Sequence, residues 1–397
     1  MTTLNSTYLL GDRTGYVQLG TETELVVGSG FKDTNFLVEE GGKLSLPPDT
    51  VFEQVTAVLR GKLSGIDILT ATTGAVIELY PENELVTFAG IFANATAKIK
   101  ILANNQRNIK LFARDSIWFT HSSSIDFTGK VALESPDVQI DHSVVFNGDY
   151  GGFPYNQVPE NCSASYQYVG GANGGGTHNT YGSPCGSYEY PVNPGSGGGT
   201  NSYGGQGGAA LKIKADNLRL DGLIKVNGKR GASSCGCTSG AGGSGGSIWF
   251  DVSDTFSGYG TVNANGGNAQ SCACNPATPG SGGRIAIHSA NNTFNGTMTA
   301  YGGSNNDQPS NADRIAAAGT IYRKTGTFTQ LVIDNNDQAS NFRASLNDPE
   351  RLSYPVDEIT LVRKGRLTLR RSSTLKGEMT MLFVHSIEGD KSGSLDM

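Results

Sequence analysis

The segment Gly242–His288 reads GGSGGSIWFDVSDTFSGYGTVNANGGNAQSCACNPATPGSGGRIAIH. It describes one event twice. Glycine and serine lead into an alternating apolar run at Ser247–Val252, and the same order of events resumes at Gly280, ahead of Arg284–His288. Alternation over four to six residues is the strand period, with one face turned inward. Two such runs at a fixed spacing imply that the chain has come back to the same place one layer further on.

Working outward, the repeat continues. LKIKADNLRLDGLIKVNG begins at Leu211, SIWFDVSDTFSGYGTVNANGG at Ser247, RIAIHSANNTFNGTMTAYGG at Arg284 and GTIYRKTGTFTQLVIDNN at Gly319; the starts lie 36, 37 and 35 residues apart. Each copy has a first alternating run, a polar break, and two further runs ending near Asn-Gly or Gly-Gly. Three short strands per copy predict a three-sided coil. Residues 1–148 show the same unit with shorter loops, in runs beginning at Phe36, Ile68, Ile91, Ile117 and Val138, spaced 32, 23, 26 and 21 residues apart. A further run, ITLVRKGRLTL, begins at Ile359. One coil cannot bury its inner face alone, whereas stacked coils share a core and pair their backbone groups along the axis. The fold predicted is therefore all-β: a parallel β-helix, or β-solenoid, with long glycine-rich loop inserts. It divides into short-loop coils over 1–148, a Gly/Tyr-rich insert over 149–210, coils of about 36 residues over 211–336, and C-terminal coils over 337–397. A β-sandwich array is the rival, but it needs domains of roughly 100 residues.

Composition narrows the classes of function. The 397 residues include 55 glycines, about twice the usual share. Sharp corners are expected to account for much of that glycine and loop packing for the rest. Net charge is −6 over 17% charged residues, with no basic block, so nucleic acid is not an expected partner. No apolar run reaches membrane-spanning length. The first 25 residues have neither the basic start nor the apolar centre of a signal peptide. Six cysteines in a Gly/Ser/Asn/Thr-rich chain point to disulfides and an extracellular setting, which suggests a segment of a larger secreted protein. N-x-Ser/Thr acceptors for glycosylation stand at Asn5, Asn94, Asn161, Asn291 and Asn295.

The insert carries eight of the fifteen tyrosines: Tyr150, Tyr155, Tyr166, Tyr168, Tyr181, Tyr188, Tyr190 and Tyr203. Two readings apply. The tyrosines form a ligand-contact surface for glycans or a protein partner, or they cover apolar surface of their own coil. Cys162 and Cys185 are expected to close a loop within it. Cys235-Gly-Cys237 and Cys272-Ala-Cys274 lie 37 residues apart, one period. In-register stacking pairs Cys235 with Cys272 and Cys237 with Cys274. A four-cysteine zinc site and free thiols are the alternatives; zinc knuckles usually space their cysteines further apart.

Outward carboxylates are the candidates for catalytic chemistry. Asp216, Asp221, Asp251 and Asp254, with Arg219 and Lys225, fall at strand ends and corners, where Asp serves turns. No catalytic residue is assigned, and no enzyme activity is expected. His121, His142, His178, His288 and His385 are scattered and read as surface residues. The acidic turns Ser304–Gln308 and Ile333–Gln338 offer oxygens of the kind Ca²⁺ takes, yet read as solvated turns. No cofactor or metal is assigned.

At SGGSIWF, GSGGRIAIH, FNGTMTAYGG and AGTIY the sequence resembles glycine-rich parallel β-helix proteins, related in shape to the pectin-lyase-like fold, which occur in very large secreted or cell-surface chains. The resemblance covers about Leu211–Asn336 and implies adhesive, scaffold or filament-building roles; it supplies no catalytic residues. The expected function is thus an extracellular structural or adhesive segment. Its expected partners are copies of itself or adjacent solenoid segments, with glycans or surface proteins as further partners. A polysaccharide-binding or polysaccharide-cleaving β-helix is the alternative.

Overall fold

The computed structural model describes residues 2–396, except 81–84, 104–107, 161, 163–168, 178–182, 200–202, 234–238, 271–276, 306–310, 347–352 and 370–380. The described chain is all-β. Its strands form sheets of 14, 10, 4 and 3 strands, and every ladder between strands but one is parallel. The ten-stranded sheet takes one short strand from each successive repeat, in sequence order from Tyr16–Leu19 to Thr297–Thr299. Ile248 lies beside Ile285 and Phe250 beside Ile287, in parallel register. Residues 37 apart in sequence are neighbours in space, as the repeat predicts, and the varying loop lengths leave the register intact.

Alternation decides which residues become core. In the ten-stranded sheet Phe36, Ala57, Ile77, Ile99, Ile125 and Phe146 stack as one column, all buried. Leu111, Leu133, Ile213, Phe250 and Ile287 form the facing column in the 14-stranded sheet. Each such aliphatic or aromatic side chain contributes roughly 1.5–3 kcal/mol by leaving water. The polar residues between them point outward and pair along the stack, for example Lys100 with Glu78 at 2.6 Å and Lys98 with Asp126 at 3.2 Å.

Among the described glycines, packing between loops counts for more, and sharp corners for less, than expected. Corners that need a positive φ mostly use other residues, among them Arg13, Asp33, Gln54, Thr73, Ala95 and His121. Among the described glycines from Gly151 to Gly319, only Gly186 and Gly258 have positive φ. Close approach requires nearly all the rest; Gly176, where a Cβ would meet nothing nearer than 3.5 Å, is an exception. Amides of Gly242 and Gly245 donate to the segment holding Thr278 and Ser281; those of Gly243 and Gly246 donate to Lys229 and Val226; those of Ser244 and Ser247 donate to Ser196 and Ala209 of the insert. In two of the three sets every third amide goes to the same neighbouring segment, and in the third both amides go to adjacent segments of the insert. A repeat of three matches an extended helix with three residues per turn, of the polyproline II kind, which has no internal hydrogen bonds. Glycine-rich loops and insert therefore form a hydrogen-bonded block beside the sheets.

The copy that begins at Gly319 departs from expectation. Its first strand, Thr320–Thr325, pairs in parallel with Arg284–Ser289. The chain then folds back through Gly326 (φ 58°) and Thr327, and Phe328–Asp334 pairs antiparallel, with Tyr322 opposite Leu331. A two-residue turn of this kind needs positive φ, which glycine supplies. The later strands Ser353–Val362 and Met381–Gly389 keep the reversed direction. The core changes side at the same point. Ile321 belongs to the first core, whereas Tyr322, Leu331, Ile333, Ile359 and Leu361 build a second core on the opposite face of the same sheet.

Candidate binding surface

The second face of the 14-stranded sheet is built by the residues that alternate with the first core. Lys212, Trp249, Ala286 and Tyr322 form one column, and Lys214, Asp251 and His288 run beside it. In RIAIH and SIWF both alternating positions are apolar, which marks strands covered on both sides. That signal was present in the sequence, and it points to Trp249 and Tyr322. The sequence reading did not single them out.

The cover is the insert. Cys162 and Cys185 are bonded, with Cα atoms 5.5 Å apart, and the segment from Cys185 to Tyr190 lies across this face. Arg284, 1% exposed, donates from Nε to the Cys185 carbonyl (3.1 Å), from Nη1 to Thr320 Oγ1 (3.2 Å) and from Nη2 to the Ser345 carbonyl (3.3 Å). Tyr188 packs edge-on against Tyr322, with ring centroids 5.3 Å apart, and tilts against Tyr354 at 6.1 Å. Tyr322 donates its hydroxyl hydrogen to Glu189 Oε1 at 3.0 Å. Burial pushes the Tyr322 hydroxyl well above the ordinary tyrosine range, so it stays a donor. Tyr190 packs edge-on against Trp249 (5.4 Å) and His288 (5.0 Å), and Lys212 Nζ sits 3.4 Å from the centre of the Trp249 ring while pairing with Asp251 at 2.9 Å. Aromatic faces with an adjacent cation and carboxylate can take the apolar faces and hydroxyls of a sugar, or a protein loop.

His288 Nε2 lies 2.9 Å from the Glu189 carbonyl. A carbonyl only accepts, so Nε2 carries the hydrogen. Burial lowers the pKa of His288 below 6.5, against the opposing pull of the Glu189 carbonyl, Asp251 and the Glu189 carboxylate, while Lys324 adds to the lowering. The unfolded chain therefore binds the proton more readily. This contribution to stability is complete above the unfolded value of 6.5 and is lost as pH falls from there towards the folded pKa. We expect the thermal midpoint to fall more for the parent than for His288→Gln between about pH 7.5 and about pH 5. Equal falls would remove His288 as the cause.

The tyrosines of the insert divide. Tyr150, Tyr155 and Tyr190 are 47%, 43% and 46% exposed, and Tyr203 is half-buried. Tyr188 is 2% exposed inside the second core, which corrects its reading as a ligand contact: its ring is spent on Tyr322 and Tyr354. Tyr166, Tyr168 and Tyr181 lie outside the described residues, as do Cys235, Cys237, Cys272, Cys274, His178 and Asn161. The bases of the two C-x-C loops lie side by side, since Gly240 and Gln270 exchange both backbone hydrogen bonds at 3.0 Å. Asn5, Asn291 and Asn295 are exposed and Asn94 is half-buried.

The candidate carboxylates are spoken for. Asp221 pairs with Arg219 at 2.7 Å, Asp216 accepts from Ser253 at 2.6 Å, and Asp254 accepts from Asn291 at 3.2 Å. Lys225 pairs with Asp149 at 2.9 Å. In the turn Ile333–Gln338, Asp334 and Asn336 hold the Arg363 guanidinium, so a side-chain cation takes the oxygens that Ca²⁺ would need. Among the described residues, no group of three or more His, Cys, Asp or Glu is placed to hold a metal ion. None of their helices is long and apolar enough to cross a membrane. No family model matches this chain, and no match was found among curated proteins or among solved structures.

Proposed function

We propose that the chain is a β-solenoid segment with a structural and adhesive role outside the cell. The parallel register of Ile213, Phe250 and Ile287 through three successive repeats carries this reading. A stack of repeats is a rigid spacer whose loops can vary while its columns persist. The Cys162–Cys185 bond fits an oxidising compartment. The exposed rings of Tyr150, Tyr155 and Tyr190 are the natural contact points for glycans or surface proteins. This favours polysaccharide binding, the second reading, as the adhesive chemistry.

Beads coated with the protein should adhere to surfaces carrying particular polysaccharides or proteins, and Tyr155→Ala with Tyr190→Ala should reduce that adhesion. Release of reducing ends from a polysaccharide by the purified protein would overturn the structural reading in favour of an enzyme.

A further inference from the structure

One outward column of the 14-stranded sheet holds aromatic rings in water. Thr70, Phe92, Trp118, Gln139, Arg219 and Ser257 lie side by side through six neighbouring strands. The residues before them, among them Ile91, Ile117, Val138, Leu218 and Phe256, are buried in the first core, so alternation turns this column outward. Trp118 is 40% exposed, and Phe92 meets it edge-on with ring centroids 5.5 Å apart. The corner beyond the column adds a third ring. The Tyr259 amide donates to Asp221 Oδ1 at 3.0 Å, and the Tyr259 side chain is 76% exposed, with no ring partner among the described residues. Gly258 (φ 117°) and Gly260 flank it. A Cβ on either would lie 2.1 Å from the Leu220 oxygen or 2.4 Å from the Gly222 oxygen, so the corner sits tightly on the coil before it and only the tyrosine side chain is displayed. A cross-strand pair accounts for Phe92 with Trp118. Packing does not account for Tyr259.

Planar polar groups stand between the rings. Asp137 Oδ2 accepts from Trp118 Nε1 at 2.7 Å and from Gln139 Nε2 at 3.0 Å, and Arg219 donates from Nε to Asp221 Oδ2 at 2.7 Å. These bonds orient the groups without using them up: Gln139 Oε1 and the two terminal nitrogens of Arg219 have no partner among the described residues. Neighbouring strands lie about 4.8 Å apart, so Trp118 and Tyr259, three strands apart, are separated by about 14 Å along the axis. An exposed line of rings rimmed by polar groups marks a binding surface. Sugars present C–H faces to aromatic rings and hydroxyls to amides, guanidiniums and carboxylates. The strand spacing is close to the advance of one pyranose ring along an extended chain, so a polysaccharide lying along the axis meets about one strand per sugar. Charge narrows the class. In the strands Asp137–Ile140 and Asn217–Leu220 and their corners, Asp137, Asp141 and Asp221 face Arg219, which disfavours a polyanion.

We propose that this wall binds a neutral, extended polysaccharide along the solenoid axis, with one sugar stacked on Trp118, another on Tyr259, and Gln139 and Arg219 holding hydroxyls between them. The site is separate from Tyr190, which packs on Trp249. It rests on the adhesive reading and names a ligand class and a place for it.

The purified protein should sediment with insoluble cellulose or chitin, and a soluble hexamer of the same sugar should shift its tryptophan emission. Trp118→Ala should weaken retention about tenfold or more and abolish the shift, and Tyr259→Ala should weaken retention about threefold or more. Both variants should keep the parent's circular dichroism spectrum; Tyr259 is exposed enough that its loss leaves the fold intact. Tyr155→Ala with Tyr190→Ala should be retained like the parent, and polygalacturonate should bind about tenfold more weakly than the neutral chains. No retention of the parent by either neutral polysaccharide, equal retention of the parent and both ring variants, or tighter binding of polygalacturonate would overturn the proposal. If neither polysaccharide binds, yet Trp118→Ala beads lose a hold on a protein-coated surface that parent beads keep, the wall serves a protein: this proposal falls and the adhesive role stands.

Discussion

Gly208→Ala should destabilise the protein by about 3 kcal/mol or more, read as a fall in the midpoint of urea unfolding. A Cβ on Gly208 would lie 1.8 Å from the Val226 oxygen, 2.5 Å from its carbonyl carbon and 2.6 Å from the Gly246 nitrogen. These are backbone atoms, so no side chain can swing away. Nor can the segment simply slide, because the Gly208 amide donates to the Ser244 carbonyl at 3.0 Å, and Ser244 donates in turn to Ser196. Gly→Ala also stiffens the unfolded chain, which favours folding by about 0.4–1 kcal/mol where the backbone is ordinary. The clash outweighs that gain. Gly20→Ala is the control: nothing lies within 4 Å of its Cβ position, so it should change the midpoint little or raise it slightly. Similar midpoints for the two variants would show that the glycine block is loosely packed and that close approach does not explain the glycine content.

That comparison also shows where the sequence was legible. The period of about 36 residues is a property of strands, and strands announce themselves by alternation, so the neighbours Ile248 and Ile285 could be read directly. The glycine block has no apolar alternation. Its repeat of three lies in which neighbour each amide meets, and side chains that are absent carry no pattern. The reversal at Gly326 was hidden for a related reason. TIYRKT and FTQLVID alternate equally well whether the second strand continues the coil or folds back, because alternation fixes faces and not direction. The turn Gly326-Thr327 was the only local sign. The insert was legible as a tyrosine-rich loop, but Tyr188 and Tyr190 look alike in sequence. Only their partners, Tyr322 and Tyr354 for the first and a half-open rim for the second, separate a core residue from a surface one.

Arg284→Met should cost about 3 kcal/mol or more, because each buried acceptor left without its donor costs about 1–3 kcal/mol. Arg284 binds three parts of the molecule that are far apart in sequence: the insert through the Cys185 carbonyl, the neighbouring strand through Thr320 Oγ1, and the second core through the Ser345 carbonyl. Methionine fills similar space but donates nothing, so two carbonyls and a hydroxyl lose their donor in a site closed to water. The side chain removed faces away from the first core, whose column at this level is Ile285 and Ile287. The damage should therefore be local at first. Proteases should cut within residues 150–205 before they cut elsewhere, and the fluorescence of Trp249 should change as Tyr190 leaves it, while the far-ultraviolet strand signal persists. Arg219→Met supplies the contrast. Its side chain is 68% exposed and pairs with Asp221, and a pair in water is worth at most about 1 kcal/mol. If both arginine variants unfold at the parent's midpoint, the insert is held by its disulfide and its tyrosines, and Arg284 is a passenger. If Arg284→Met alone falls, with cleavage confined to the insert, one buried guanidinium fastens the insert and the second core to the same strand.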